Sequence, residues 1–382
     1  MKVSHYNQNF RIGFDGRCIS INPQGAGNYV LNLVKALLAK KVNCVVFTKE
    51  ASPSLLHLNN PYLKVVLIPI RSYPTIQQQN HEWEQKKLMP YLEKNCLNLY
   101  HATDSAGIPK NIKIPAILTV HDLIPYRIPM ADPNQFKYYK LRIETALSLA
   151  QKIIAISKST EKDLERILKV KPSRIKVIYH GISRFKKSSG DSLISLKRKF
   201  RIHKDYLIYI GGIARRKNID KLIIALSLLK PALDFQLVIV GQKNKPLNDE
   251  LNEIARKNGV HKEIIFTGYL EDRNKNALLE NAEMLIYPSS YEGFGLPILE
   301  GFQAGVPVIT CNVSSMPEIA EKAAYLINPR DSESIAKAIR ELSIDEKLKH
   351  SLIKKGEIRV QDFSWEKTAQ ETLSLYQELI KE

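Results

Sequence analysis

The chain has 382 residues, more than one hydrophobic core usually organises, so two domains are expected. Hydrophobic residues make up 44% and charged residues 25%, ordinary values that indicate neither disorder nor a disulfide scaffold. The net charge of +18 points to anionic partners, whether nucleic acid, anionic lipid or phosphorylated ligands, or simply to a Lys-rich soluble surface.

From the N-terminus, residues 1–9 are polar and carry no apolar core of a signal peptide. A short apolar strand is expected at 10–14, a Gly-containing turn at 22–27, and a helix through Tyr29, Leu33 and Leu37 at helical spacing. Strands follow at 44–47, 65–68, 97–100, 116–120, 153–156 and 175–179, with helices at 135–149 and 159–168. Residues 183–192, with Lys186, Lys187, Ser188, Ser189 and Gly190, form the best linker candidate because few of their side chains can join a core. The pattern then restarts. Strands are expected at 206–210, 236–240, 264–266, 284–287 and 306–309, and helices at 219–229, 248–258, 273–281 and 296–304.

A tail helix at 364–380, capped by Ser364, completes the chain. This alternation predicts an α/β protein of two Rossmann-like, doubly wound lobes. Residues 1–180 form the first, residues 181–360 the second, and residues 361–382 a C-terminal helix packing back toward the first. No apolar stretch is long enough to span a bilayer, so a cytoplasmic protein with at most peripheral membrane contact is expected. Cys18, Cys44, Cys96 and Cys311 lack metal-ligand spacing and read as buried thiols in a reducing compartment.

In open α/β sheets ligands bind beyond the carboxyl ends of the strands, so the loops there are where chemistry is expected. Glu292-Gly293-Phe294-Gly295-Leu296-Pro297 leads from a strand into a helix. Gly293 and Gly295 allow close backbone approach, Pro297 suits a first helical turn, and the helix N-terminus offers free N–H groups to a diphosphate. Carboxylates repel phosphates, so Glu292 and Glu300 are better read as acceptors of sugar and ribose hydroxyl protons. Gly211-Gly212 ends another strand, and Arg215-Arg216-Lys217 follows, a charge pattern suited to a diphosphate. Taken alone, that triplet is more often a solvated basic loop.

In the first half, Gly25-Ala26-Gly27 is a weak glycine motif without the full dinucleotide fingerprint, which disfavours a nicotinamide cofactor. His121-Asp122 and the pair His101 and Asp104 each end a strand. They are candidates for the acceptor side, although a lone His is more often structural.

The segment from Ser290 to Pro297, with Glu292 and Glu300 separated by seven residues, resembles the retaining glycosyltransferases of family 4, also called group 1, with the GT-B fold. The resemblance continues through Gly305-Val306-Pro307-Val308-Ile309-Thr310. It implies that Glu300 holds the donor ribose, and that Glu292 with the Phe294 and Gly295 amides, beside Leu296, contacts the sugar and phosphates. Arg216 and Lys217 would bind the diphosphate, and the backbone near Tyr269 would lie along the base. Gly25 and Gly27 would sit over the phosphates, and His121 would lie near the transferred sugar. The family's usual Arg at Gly212 is missing, and Gly301-Phe302-Gln303 replaces an Ala-Met-Ala-like run.

The implied activity is retaining transfer from a nucleoside diphosphate sugar to a hydroxyl of a saccharide or lipid-linked saccharide. No covalent nucleophile stands out, and no metal or other cofactor is expected. The combination of His-Asp-Leu-Ile-Pro and Arg-Lys-Asn is similar to the mannosyltransferase-like branch. GDP-mannose is the first expectation, ahead of UDP-glucose and dTDP-rhamnose, and an anionic membrane face is a further expected partner. The alternatives are a sugar-nucleotide 2-epimerase of the same architecture and a non-catalytic nucleotide-sugar binder. A nucleic-acid binder is disfavoured because no basic stripe is interleaved with aromatics.

Overall fold

The structure is a computed structural model that describes residues 10–19, 25–50, 52–71, 73, 75–104, 107–130, 132–183, 190–242 and 244–381. Most of the expected linker, and the turn before Gly25, lie outside the described residues. The chain divides into two compact units, Met1–Gly181 with Ser364–Glu382, and Ile182–Phe363.

Unit 1 is built on strands β1 (Arg11–Asp15), β2 (Asn43–Thr48), β3 (Leu63–Leu67), β4 (Leu99–Ala102), β5 (Ala116–Val120), β6 (Lys152–Ala155) and β7 (Ile175–Val177). They form one parallel sheet in the order β3-β2-β1-β4-β5-β6-β7. Its helices are α1 (Ala26–Ala39), α2 (Pro53–Leu56), α3 (Ile76–Glu82), α4 (Leu88–Lys94), α5 (Ile124–Arg127), α6 (Pro133–Leu149) and α7 (Lys158–Leu168). One π-turn, Trp83–Lys87, joins α3 to α4. Two apolar layers cover the sheet. The first gathers Tyr29, Leu33, Val34 and Leu37 of α1 with Ile12, Phe14 and Val46. The second gathers Trp83, Leu88, Ile143 and Leu164 with Leu118, Val120 and Ile153. With both faces covered, the central strands read as nearly unbroken apolar runs rather than alternating ones.

Unit 2 contains α8 (Gly190–Phe200), β8 (Tyr206–Ile210), α9 (Ile219–Leu229), β9 (Gln236–Val240), α10 (Lys245–Lys257), β10 (Ile264–Gly268), α11 (Asp272–Leu279) and β11 (Met284–Tyr287). It continues with α12 (Leu296–Ala304), β12 (Val308–Cys311), α13 (Met316–Ala320), β13 (Tyr325–Ile327), α14 (Ser332–Ile344) and α15 (Glu346–Arg359). The parallel sheet runs β10-β9-β8-β11-β12-β13. This is the doubly wound order with its reversal between β8 and β11, which opens a crevice at their carboxyl ends.

The final helix, α16 (Trp365–Lys381), belongs to unit 1. It places Ala369, Leu373, Tyr376 and Leu379 in the same core layer as α1. Both units are Rossmann-like.

Strand β12 begins two residues later than its apolar run suggests. Pro307 has no N–H for the ladder, and it serves only as the acceptor for Leu285 N–H at 3.0 Å. Of the four cysteines, all expected to be buried, Cys44 and Cys311 are, Cys18 is half-buried and Cys96 is exposed. Among the described residues no helix is long and apolar enough to cross a membrane.

Candidate active site

In unit 2 the functional side chains gather at the crevice between β8 and β11. Beyond β8, Gly211 lies against Gly241 at the end of β9. A Cβ on Gly241 would sit 1.8 Å from the Gly211 carbonyl oxygen, so only glycine fits there. The chain then forms a short 3-10 turn, Arg215–Lys217, ending at Asn218 in the left-handed region with φ 49°. Asn218 fastens this turn to the loop after β11, its Nδ2 donating to Pro288 O and Ser290 Oγ, each at 2.7 Å. Ser290 N–H returns a bond to Arg216 O at 2.7 Å.

The two loops meet at Glu292, whose Oε1 accepts from Arg216 Nη1 at 2.5 Å, Ser289 Oγ at 2.6 Å and Lys217 Nζ. Lys217 also donates to Tyr287 Oη at 2.7 Å and lies over that ring, 4.7 Å from its centre. Glu292 and Lys217 are both buried. Burial pushes the Glu292 carboxyl up, but the Lys217 and Arg216 charges outweigh it and hold the group below its ordinary value. Two cations on one carboxylate leave this cluster with one positive charge in excess.

The loop behind Glu292 is fastened by a serine pair. Ser314 Oγ donates to Glu292 O at 2.6 Å, and Ser315 Oγ to Phe294 O at 2.7 Å. Gly295, with φ 112°, precedes the first turn of α12, where Leu296 and Pro297 are half-buried while Glu292 to Gly295 are buried. Glu300 lies one turn further along and is half-buried; Lys275 Nζ contacts its Oε1 at 2.7 Å and Asp272 at 2.9 Å. Tyr269, just past β10, is 53% exposed.

In unit 1, His121 follows β5. Its Nε2 lies 2.8 Å from Thr103 O. A carbonyl can only accept, so this bond puts a ring proton on Nε2, and in the neutral ring Nδ1 is then the acceptor. Asp122 bonds the local backbone: its Oδ1 accepts from Ile124 N–H at 2.9 Å. Gly25 caps α1 with φ 50°, and Gly27 is buried in the helix's first turn.

Several expectations need correction. His101 does not reach an acceptor. It is fully buried, with Nδ1 2.6 Å from Tyr376 Oη and Nε2 2.7 Å from Thr119 Oγ1. Only Gly295 of the pair Gly293 and Gly295 uses a positive φ. Asp104 is exposed beyond β4, and Gly212 has open space where a side chain would stand. Gly301 and Phe302, which depart from the family pattern, are buried.

The residues missed are Asn218, Gly241, Lys275, Ser289, Ser314 and Ser315. Gly241 had a signal, a glycine ending an apolar strand as Gly211 does, and Ser314-Ser315 precedes a Pro at a helix start. Lys275 had none.

The comparisons with known proteins agree with this geometry. The profile of "Glycosyltransferase Family 4" matches residues 23–184, and that of "Glycosyl transferases group 1" matches residues 195–359. The chain belongs to the family 4, group 1 glycosyltransferases. It is 26% identical over 373 residues to O-antigen chain mannosyltransferase B of Escherichia coli, covering 92% of this chain and 95% of that protein. Sucrose-phosphate synthase from Thermosynechococcus elongatus superposes with a TM-score of 0.79 at 20% identity, over 98% of this chain and 100% of that one. HepE of Anabaena, solved in complex with UDP and glucose, gives 0.75 at 17%, over 97% and 100%. The protein is thus a glycosyltransferase of GT-B fold.

Proposed function

We propose that this glycosyltransferase moves a hexosyl unit, mannose from GDP-mannose in the first instance, to a hydroxyl of a saccharide or lipid-linked saccharide, with retention at the anomeric carbon. The observation that carries the reading is the cluster of half-buried Arg216 with buried Lys217 and Glu292 beside the N-terminus of α12. An entering diphosphate takes over Arg216 and Lys217 and gains main-chain N–H groups of the Phe294-Gly295-Leu296 entry to α12. Glu292, released from its cations, turns to a hydroxyl of the sugar, and Glu300 accepts from the ribose. As the glycosidic bond lengthens, negative charge grows on the leaving phosphate, and the two cations stabilise it in place of a metal ion.

No side chain here is assigned as a covalent nucleophile. The leaving phosphate oxygen takes the acceptor's hydroxyl proton on the face from which it departs, which retains configuration. His121, with Nδ1 as acceptor, orients a hydroxyl of the transferred sugar.

The name of the Escherichia coli relative supports mannose, and the UDP and glucose held by HepE support a nucleotide-sugar donor. The +18 charge supports docking on an anionic membrane face from the cytoplasm.

The test is a thermal-shift screen of GDP-mannose, UDP-glucose and dTDP-rhamnose, because a bound donor raises Tm by mass action. Transfer is then measured with the stabilising donor, with and without EDTA. A shift with GDP-mannose and EDTA-resistant transfer is expected. Stabilisation by UDP-glucose alone overturns the mannose assignment. Conversion of the donor with no acceptor present favours the 2-epimerase.

A further inference from the structure

His121 does not stand alone in unit 1. Its ring meets Tyr29 edge-on, with centroids 5.0 Å apart and planes at 85°, and His180 at 5.5 Å and 77°. Tyr29 and His180 are themselves stacked, 4.8 Å apart at 25°. Behind that pair lies Trp365, 6.0 Å from Tyr29 and 5.9 Å from His180. Trp365 is the first residue of α16 and enters the sequence 185 positions after His180 (365 − 180).

A second support reaches the same place. Tyr376 Oη lies 2.6 Å from His101 Nδ1, His101 Nε2 lies 2.7 Å from Thr119 Oγ1, and Thr119 Oγ1 lies 3.2 Å from Tyr29 Oη. Three hydrogen bonds thus run from α16 to the Tyr29 ring that carries His121. A third contact fixes the segment holding His180, since Thr368 Oγ1 donates to Tyr179 O at 2.8 Å. Trp365 and Tyr376 are eleven residues apart, close to three full helical turns, and so share one face of α16. A helix needed only to cover apolar surface would not require a hydroxyl, an indole and a threonine that all tie back to the Tyr29–His180 stack against which His121 lies. Aromatic pairs in this geometry fix ring planes as well as burying area.

We infer that Trp365 and Tyr376 are positioning residues for His121, so that the chain's last helix forms part of the support of the transfer site. The inference rests on the proposed role of His121 at the transferred sugar. Trp365 acts through the Tyr29–His180 stack and sets the ring plane of His121. Tyr376 acts through His101 and Thr119 and holds Tyr29 against it.

The test is a double-mutant cycle in the full chain, assayed for transfer well below each variant's melting temperature. Trp365→Leu is expected to lower kcat by about ten- to a hundredfold, with donor KM unchanged within about twofold. Trp365→Phe, which keeps a ring in the stack, restores most of the loss. Tyr376→Phe, which keeps the ring but loses the hydroxyl, lowers kcat in the same sense. In a His121→Ala background Trp365→Leu costs nothing further. Leu379→Ala, a cavity in the same helix, lowers Tm and leaves kcat intact.

A Trp365→Leu protein that melts earlier but turns over normally overturns the inference and leaves the reading of His121 standing. An equal loss of kcat in the His121→Ala background also overturns it, because Trp365 then acts by another route. Full activity of His121→Ala by itself instead defeats the role given to His121, and the inference falls with it.

Discussion

Glu292 is a buried carboxylate that shares one oxygen among two cations and a serine hydroxyl. Removing one member of a buried ion cluster strands the others without solvent, which costs about 3–5 kcal/mol. Glu292→Ala is therefore expected to lower Tm by about 10 °C, and Glu292→Gln, which keeps the size and one acceptor, by less. The same substitution frees Arg216 and Lys217 for phosphate. Nucleoside diphosphate affinity, measured calorimetrically, should rise while transfer falls. A fall in both would mean that Glu292 shapes the loop rather than competing with the ligand. His101 gives a second residue-scale prediction. Burial first, then the nearby His121, hold its imidazole down to about 3 from an ordinary 6.5. Between those values the unfolded chain binds a proton that the folded one refuses. The contribution is complete above pH 6.5 and is lost on acidification, reaching about 2 kcal/mol by pH 5. His180 is displaced in the same direction by burial. Urea midpoints measured at about pH 7.5 and about pH 5 should show this drop, and His101→Gln should flatten it.

The approach to α12 depends on a turn that only glycine adopts easily. Gly295 has φ 112° and ψ 44°, and a Cβ there would lie 3.1 Å from Ile298 Cδ1. Gly295→Ala is expected to cost about 1–3 kcal/mol from backbone strain and to raise donor KM, since the α12 N–H groups move with the turn. Ser315→Ala removes the hydroxyl bonded to the Glu292 and Phe294 carbonyls. It should destabilise unit 2 by about 1–3 kcal/mol, read as a urea midpoint. These elements also show what the sequence could and could not reveal. The strands of both sheets except β13 were legible because parallel strands covered on both faces become apolar runs bounded by glycines and polar turns, whereas β13 is a three-residue edge strand with one exposed and one half-buried position. The Glu292 to Glu300 segment was legible because glycine, proline and a carboxylate spacing coincide there. Residues 332–359 were not read as helices, although Asp331 and Asp345 cap α14 and α15 with side-chain bonds to Glu333 N–H and Leu348 N–H. Helix α15 is half charged and buries only Leu352 and Gly356, so its periodic signal is faint. Lys275 could not be found by pattern at all, because its role arises only where α11 meets α12.

The chain builds unit 1 from two separated segments, residues 1–181 and 364–382, and unit 2 from the single run between them. That arrangement has an energetic consequence. Helix α16 places Ala369, Leu373, Leu375, Tyr376 and Leu379 in the α1 core layer. Fully burying each of the larger side chains contributes about 1.5–3 kcal/mol. Their loss together is comparable with the roughly 5–15 kcal/mol that holds an ordinary domain folded. Truncation after Phe363 is therefore expected to unfold unit 1 while leaving the sheet of unit 2 intact. Hydrogen exchange resolves the two outcomes. Amides of β1 and β2 should lose protection in the truncated chain, whereas those of β8, β9 and β11 should keep it. A synthetic peptide of residues 364–382, added in excess, should restore protection to β1 and β2 by mass action. Retained protection of β1 and β2 in the truncated chain without peptide would show that α16 is dispensable for the fold. Helix α16 would then act at the Tyr29–His180 stack beside His121 rather than in holding the sheet of unit 1 together.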